Sequence, residues 1–155
     1  MTVTPCVWIP RDAKAALARY VELIPNSHID WQRSVHDPEG HEVTWAQVVI
    51  AGVSYQVLGG PAPFHLNESF SLMIDCADQA EVDHYWNALL EGGGDESACG
   101  WLKDPWGVSW QVVPRRLGEL MFDPNPARAE AARIAMLGMR KIVIAELEAA
   151  ANAAG

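Results

Sequence analysis

The chain has 155 residues, 50% of them hydrophobic and 20% charged, with a net charge of −9. That length suits one globular domain or two small modules sharing a core, and the hydrophobic fraction excludes a disordered chain. The acidic balance excludes non-specific binding to nucleic-acid phosphates and to anionic membranes, and no apolar run reaches the roughly 18 residues a membrane span requires.

Val3 to Ile9 reads as a strand. Asp12 to Ile24 reads as a helix on the spacing of Ala16, Leu17, Tyr20, Val21 and Ile24, ended by Pro25. Ser27–Val35 is a predicted strand, followed by an Asp37-Pro-Glu-Gly40 turn. Val43–Ala51 and Val53–Gly59 are predicted strands, and a Gly/Pro-rich loop then runs to Phe64. Phe70–Cys76 reads as a strand and Asp78–Glu91 as a helix with Val82, Tyr85, Trp86, Leu89 and Leu90 on its apolar face. Ala98–Lys103 and Val108–Pro114 are predicted strands joined by the Asp104-Pro-Trp-Gly107 turn. Asn125 and Pro126 have the chemistry of a helix N-cap and first turn, opening an alanine-rich helix to about Gly138. A bend near Met139–Ile142 and a second helix complete the tail, whose apolar Ile134, Leu137, Ile142 and Leu147 need a surface to lie on.

The chain repeats itself. Gly52-Val-Ser-Tyr-Gln-Val-Leu58 matches Gly107-Val-Ser-Trp-Gln-Val-Val113, and Ala16, Tyr20 and Leu23 match Val82, Trp86 and Leu89. The second copy is shorter between its helix and its last strand by about one strand and a turn. The expected fold class is α+β: two fused βαβββ units, the second shortened, plus a C-terminal helical tail. The expected division is a single domain over 1–118, with unit one at 1–60 and unit two at 68–114, and a tail over 119–155 packing on its own or a partner subunit.

Gly59-Gly-Pro61, Phe64, Asn67-Glu68, Ser71, Cys99-Gly-Trp-Leu-Lys-Asp104, Trp106 to Pro114, Asp123-Pro and Pro126-Ala127 form a distinctive set. On these residues the sequence resembles the PhnB-like group, often labelled 3-demethylubiquinone-9 3-methyltransferase-like, within the glyoxalase/bleomycin-resistance/dioxygenase (vicinal-oxygen-chelate) superfamily. The resemblance covers nearly the whole chain. It implies a cupped sheet with a pocket, and a homodimer.

The resemblance implies that superfamily enzymes hold a divalent metal with His and Glu (or Gln) side chains from the first and last strands of each unit. By resemblance, the last-strand positions here are Gln56 and Gln111. The first-strand candidates are Pro5 or Val7, and Ser71 or Met73. Neutral amides and a hydroxyl are weak donors for zinc or iron, so no metal and no cofactor is expected. His28, His36 and His41 read as solvated strand or turn residues, and His84 as a polar-face helix residue. Asp104 reads as a turn former, and Cys99 as a buried structural residue with Lys103 its one nearby cation.

Trp8, Tyr55, Trp101, Trp106 and Trp110 lie on or beside the strands of the expected cup. Strand alternation places Gln56 with Ser54 and opposite Tyr55, and Gln111 with Ser109 and opposite Trp110. The expected ligand-binding residues are therefore Trp8, Gln56, Phe64, Ser71, Trp101 and Gln111. Glu68 and His65 are the catalytic candidates. Three functions fit: a metal-free dimer binding a small organic molecule; an enzyme (lyase, isomerase, dioxygenase or transferase) with a site rebuilt around Glu68, His65, Gln56 and Gln111; and an interaction module built on the tail. No phosphate loop is present, and no glycine-rich turn for S-adenosylmethionine. Three cysteines without a C-x-x-C pattern, and no visible signal peptide, give the cytoplasm as the expected compartment, with no nucleic-acid or membrane partner.

Overall fold

The computed structural model describes all 155 residues, which divide into two compact units, Met1–Asn67 and Glu68–Gly155. The first unit runs β1 (Cys6–Ile9), α1 (Ala13–Leu23), β2 (His28–His36), β3 (Glu42–Ile50) and β4 (Val53–Gly59). Its sheet has the order β1-β4-β3-β2, with β1 parallel to β4 and the other pairs antiparallel. The second unit runs β5 (Ser71–Cys76), α2 (Gln79–Leu90), β6 (Asp95–Glu96), β7 (Trp101–Lys103) and β8 (Ser109–Pro114). Its order, β5-β8-β7-β6, repeats that of the first unit, again with the outer strand parallel. The fold is α+β with two βαβββ units, and the shortening of the second falls on β6 and β7.

One face of each sheet is closed by its own helix. In unit one, Ile9, Ala46, Val48, Ile50 and Val57 are buried together with Ala13, Ala16, Leu17 and Tyr20 of α1. Gly59 lets the helix lie close, because a Cβ there would run into the Ala13 side chain. In unit two, Val82, Trp86 and Leu89 of α2 are buried, as are Leu102, Trp110 and Val112 of the sheet. Asp78 caps α2 by accepting from Glu81 N at 2.9 Å, and the Glu81 side chain accepts from Ala77 N at 2.7 Å.

Three helices follow in the second unit: α3 (Arg115–Met121), α4 (Pro126–Leu137) and α5 (Ile144–Ala154). Asn125 caps α4, with Pro126 in its first turn, as the sequence predicts. These helices and the segment between α4 and α5 bury Leu117, Leu120, Ala132, Met139, Ile142, Leu147 and Ala151 in one cluster, against which Val113 of β8 packs. The segment between α4 and α5 is tied to the rest of the unit by backbone bonds from Cys99 N to Met139 O (2.8 Å) and from Gly100 N to Arg140 O (2.7 Å).

Four local expectations are corrected. The strand predicted from Ala98 begins at Trp101, because Cys99 (φ 58°) and Gly100 (φ 82°) turn the chain through the left-handed region. The strand predicted from Val3 begins at Cys6. The tail buries Ile142 and Leu147 but leaves Ile134 and Leu137 more than half exposed, the small Ala132 taking the inner position on α4. Finally, α3 and β6 lie where the sequence pattern predicts no element.

Candidate functional site

The face of each sheet away from its helix carries the residues of interest. Register fixes which side chains share it, since paired residues point to the same side. In unit one, Trp31, Gln47, Gln56 and Cys6 form one row across β2, β3, β4 and β1. Arg33, Trp45, Leu58 and Trp8 form the next. A bulge in β2 between Ile29 and Trp31 inserts Asp30, and with it the Asp30 carboxylate reaches the amide row.

That row is hydrogen-bonded along its length. Gln47 Nε2 donates to Asp30 Oδ2 at 3.0 Å, and Gln56 Nε2 donates to Gln47 Oε1 at 3.1 Å. Trp31 Nε1 also donates to Gln47 Oε1, at 3.3 Å. His28 Nε2 meets the other carboxylate oxygen of Asp30 at 3.0 Å. Beside the row, Trp8 and Phe64 pack edge to face with ring centroids 5.2 Å apart, and Trp8 Nε1 donates to Gly60 O at 2.9 Å. Trp31 and Trp45 are each 42% exposed. Of the expected binding residues, then, Trp8 and Phe64 touch, and Gln56 lies on the same face as Trp8. Tyr55 lies on the opposite, helix-facing side.

In unit two, Gln111 Nε2 donates to Ser71 Oγ at 2.9 Å, and Trp101 is the register partner of Gln111 on β7. Ser71, Trp101 and Gln111 therefore share one face. Ser109, the register partner of Ser71, is buried with no hydrogen-bond partner for its Oγ. Trp110 points the other way, into the core, where its Nε1 donates to Asp104 Oδ2 at 2.9 Å.

Of the catalytic candidates, Glu68 meets the second sheet's row through Lys103, which pairs in register with Ser109 beside Ser71. Glu68 pairs with Lys103 at 2.7 Å, and that hydrogen bond and charge hold its carboxyl below the usual glutamate range. A base so stabilised accepts a proton poorly near neutral pH. His65 is exposed in the loop after Phe64.

The donor set does not fit a metal. The first-strand residue opposite Gln56 is Cys6, between the two positions expected from the sequence, because the parallel register pairs them directly. Opposite Gln111 stands Met73. No three His, Cys, Asp or Glu side chains converge on a common point. A thiol with an amide, and a thioether with an amide, lack the imidazoles and carboxylates that hold hard or borderline divalent ions.

The 3-demethylubiquinone-9 3-methyltransferase family model matches residues 1–113 of this two-unit chain. The chain belongs to that family, the PhnB-like branch of the vicinal-oxygen-chelate superfamily. A Bacillus cereus PhnB protein, described as a possible 3-demethylubiquinone-9 3-methyltransferase, is similar at 22% identity and TM-score 0.64, over 74% of this chain and 99% of its own. A glyoxalase family protein from Bacillus cereus aligns at TM-score 0.50 and 9% identity, over 73% of this chain and 92% of its own. A fosfomycin resistance protein from Listeria monocytogenes, in complex with Mn(II) and a dihydroxypropylphosphonic acid, aligns at TM-score 0.51 and 14% identity, over 72% and 90%. No curated protein sequence matches the chain.

The methyltransferase in the family description is not supported by the residues of this PhnB-like chain. Its two strand-to-helix turns are Pro10-Arg-Asp12 and Ala77-Asp78, and neither carries the glycines with which such turns approach a nucleotide-type cofactor. No helix is long and apolar enough to cross a membrane.

Proposed function

We propose that this PhnB-like chain is a homodimer that binds a small, planar, neutral organic molecule on the open face of its first sheet, without a metal. The observation that carries the reading is the amide row of Gln47 and Gln56, flanked by Trp8, Trp31 and Trp45 on the same face. Aromatic faces supply contact area at low entropic cost, and a few fixed amides supply orientation. The row lacks imidazole and carboxylate ligands at the superfamily's metal positions, which supports binding over metal-assisted chemistry.

Native mass spectrometry on protein purified without a metal-chelating column tests the reading. The expected result is a protomer free of metal that carries an organic adduct, or that takes one up from an aromatic fragment set. One divalent ion per protomer, or a failure of every aromatic fragment to bind at millimolar concentration, would overturn it.

A further inference from the structure

The outer face of α4 lies open. Glu130, Arg133, Ile134 and Leu137 follow the i, i+3, i+4, i+7 spacing that sets residues on one side of a helix, away from the buried Ala132. Ile134 and Leu137 stand out of this face with more than half of their surface exposed. Toward the start of the same helix lies a recess of about 410 Å³, lined by Met121, Phe122, Pro126 and Ala129 together with Glu130 and Arg133. Phe122 is itself 88% exposed. Between the start of the helix and its apolar pair, Arg133 Nε and Nη2 donate to the two carboxylate oxygens of Glu130, each at 2.7 Å.

Along the helix the order is recess, acid, base, apolar pair. Turned end for end, the same order opposes the apolar pair to the recess and the base to the acid. A two-fold axis across the helix performs that reversal, so the surface is complementary to a second copy of itself. A parallel pairing would instead set acid against acid and base against base. One acid balanced by one base also argues against an anionic membrane, which takes a helix with a basic polar face. The family model ends at residue 113, before α3, so this surface is an addition to the two-unit fold.

We propose that the outer face of α4 is a self-docking surface, on which a second copy of the chain lays its own α4 antiparallel about a two-fold axis. Ile134 and Leu137 of each copy enter the Pro126–Ala129 end of the other, and Glu130 of each meets Arg133 of the other. Apolar contact drives the association. The charges fix its direction, since exposed ion pairs add little strength. This inference rests on the proposed homodimer and names its interface, and it leaves the open face of the first sheet to the ligand.

Sedimentation equilibrium of the full chain and its variants gives the dimer dissociation constants, with folding checked by circular dichroism. Ile134→Gln combined with Leu137→Gln changes only exposed side chains, and is expected to weaken the dimer at least about a hundredfold. Glu130→Arg and Arg133→Glu, each alone at about 0.05 M salt, are expected to weaken it at least about tenfold by setting like charges together. Mixed in equal amounts, these two variants are expected to pair with each other about as tightly as the natural chain. The mixed pair carries the total charge of the natural dimer, so long-range repulsion is the same. Damage to α4 alone, from the lost pairing within each chain, would not be repaired by mixing. A natural chain that stays monomeric overturns the homodimer and this interface with it, and leaves the ligand face standing. A dimer weakened by none of the variants overturns the α4 surface alone, and returns the contact to the apolar open faces of the sheets. Charge variants that weaken the dimer without recovery on mixing overturn the antiparallel pairing.

Discussion

Asp104 is a carboxylate with 4% of its surface exposed, and three donors from its own turn and β8 explain why it is tolerated there. Its Oδ1 accepts from Trp106 N at 2.9 Å and from Val108 N at 3.0 Å, and its Oδ2 accepts from Trp110 Nε1 at 2.9 Å. The backbone closes the same turn, Gly107 N donating to Asp104 O at 2.9 Å. Asp104→Asn keeps the shape but sets an NH2 group against the Trp110 N–H, donor facing donor. The expected cost is about 2–3 kcal/mol in urea unfolding. In a Trp110→Phe background the same change is expected to cost markedly less, because the opposing donor is gone; equal costs in both backgrounds would remove Trp110 from the account. Cys76 makes the contrasting case of a titratable group held neutral. Burial, then the charges of Glu81, Asp75 and Asp78, push its thiol up to about 12. The thiolate is the nucleophile, so a thiol reagent at pH 8 is expected to label the exposed Cys6 quickly and Cys76 only after unfolding. Since the unfolded thiol ionises first, the folded state loses stability as pH rises from about 9 toward 12. Cys76→Ala is expected to flatten that loss in alkaline unfolding curves, and an unaltered slope would count against the shift.

At the scale of elements, α2 is joined to the tail by the Lys141–Asp83 ion pair, at 2.6 Å, and by the side chain of Gln79. Gln79 Nε2 donates to Ile142 O at 3.1 Å, and Gln79 Oε1 accepts from Ile144 N at 2.9 Å, the first amide of α5. Val143, the residue before α5, offers no side-chain cap, so Gln79 supplies from α2 what the local sequence lacks. Gln79→Ala is expected to cost about 1–3 kcal/mol and to lower hydrogen-exchange protection at Ile144 more than along α4. A uniform loss of protection would instead mark a general loosening. No single-sequence pattern reveals such a cap, because donor and acceptor lie far apart in the chain. The elements legible in the sequence are those with an apolar period or a clear boundary signal: α1 and α2, the longer strands including those of the Gly52 and Gly107 repeats, and α4 with its Asn125-Pro126 start. β6 is two acidic residues, too short for alternation, and α3 carries Gly118 with no capping side chain. The candidate site divides the same way. Gln56 and Gln111 follow from the repeat and from strand alternation. Asp30, Trp31 and Gln47 join Gln56 through the β2 bulge, which shifts the alternation of His28–His36 and so conceals which of its residues share a face.

For the whole molecule, the open sheet faces bear on assembly. Each sheet is covered on one side by its own helix, and large apolar side chains remain accessible on the other: Trp31, Trp45 and Val35 in the first unit, Met73 in the second. This is the surface that a second copy, in the proposed homodimer, or the proposed ligand would cover. The proposed homodimer predicts a solution mass of about 34 kDa by light scattering, twice the 17.0 kDa of one chain. The charge sets a further sign. Two protomers of net charge −9 repel one another, and the repulsion is screened over about 10 Å at 0.1 M salt. The dimer is therefore expected to tighten as salt rises from 0.01 to 0.2 M, whereas an interface built on opposite charges would weaken over the same range. A chelator is expected to leave the mass unchanged, since neither the Cys6–Gln56 nor the Met73–Gln111 pair is a set of metal donors. A mass of 17.0 kDa at every concentration and salt would remove the dimer from the proposed function. The ligand reading would then rest on the first sheet of a single protomer.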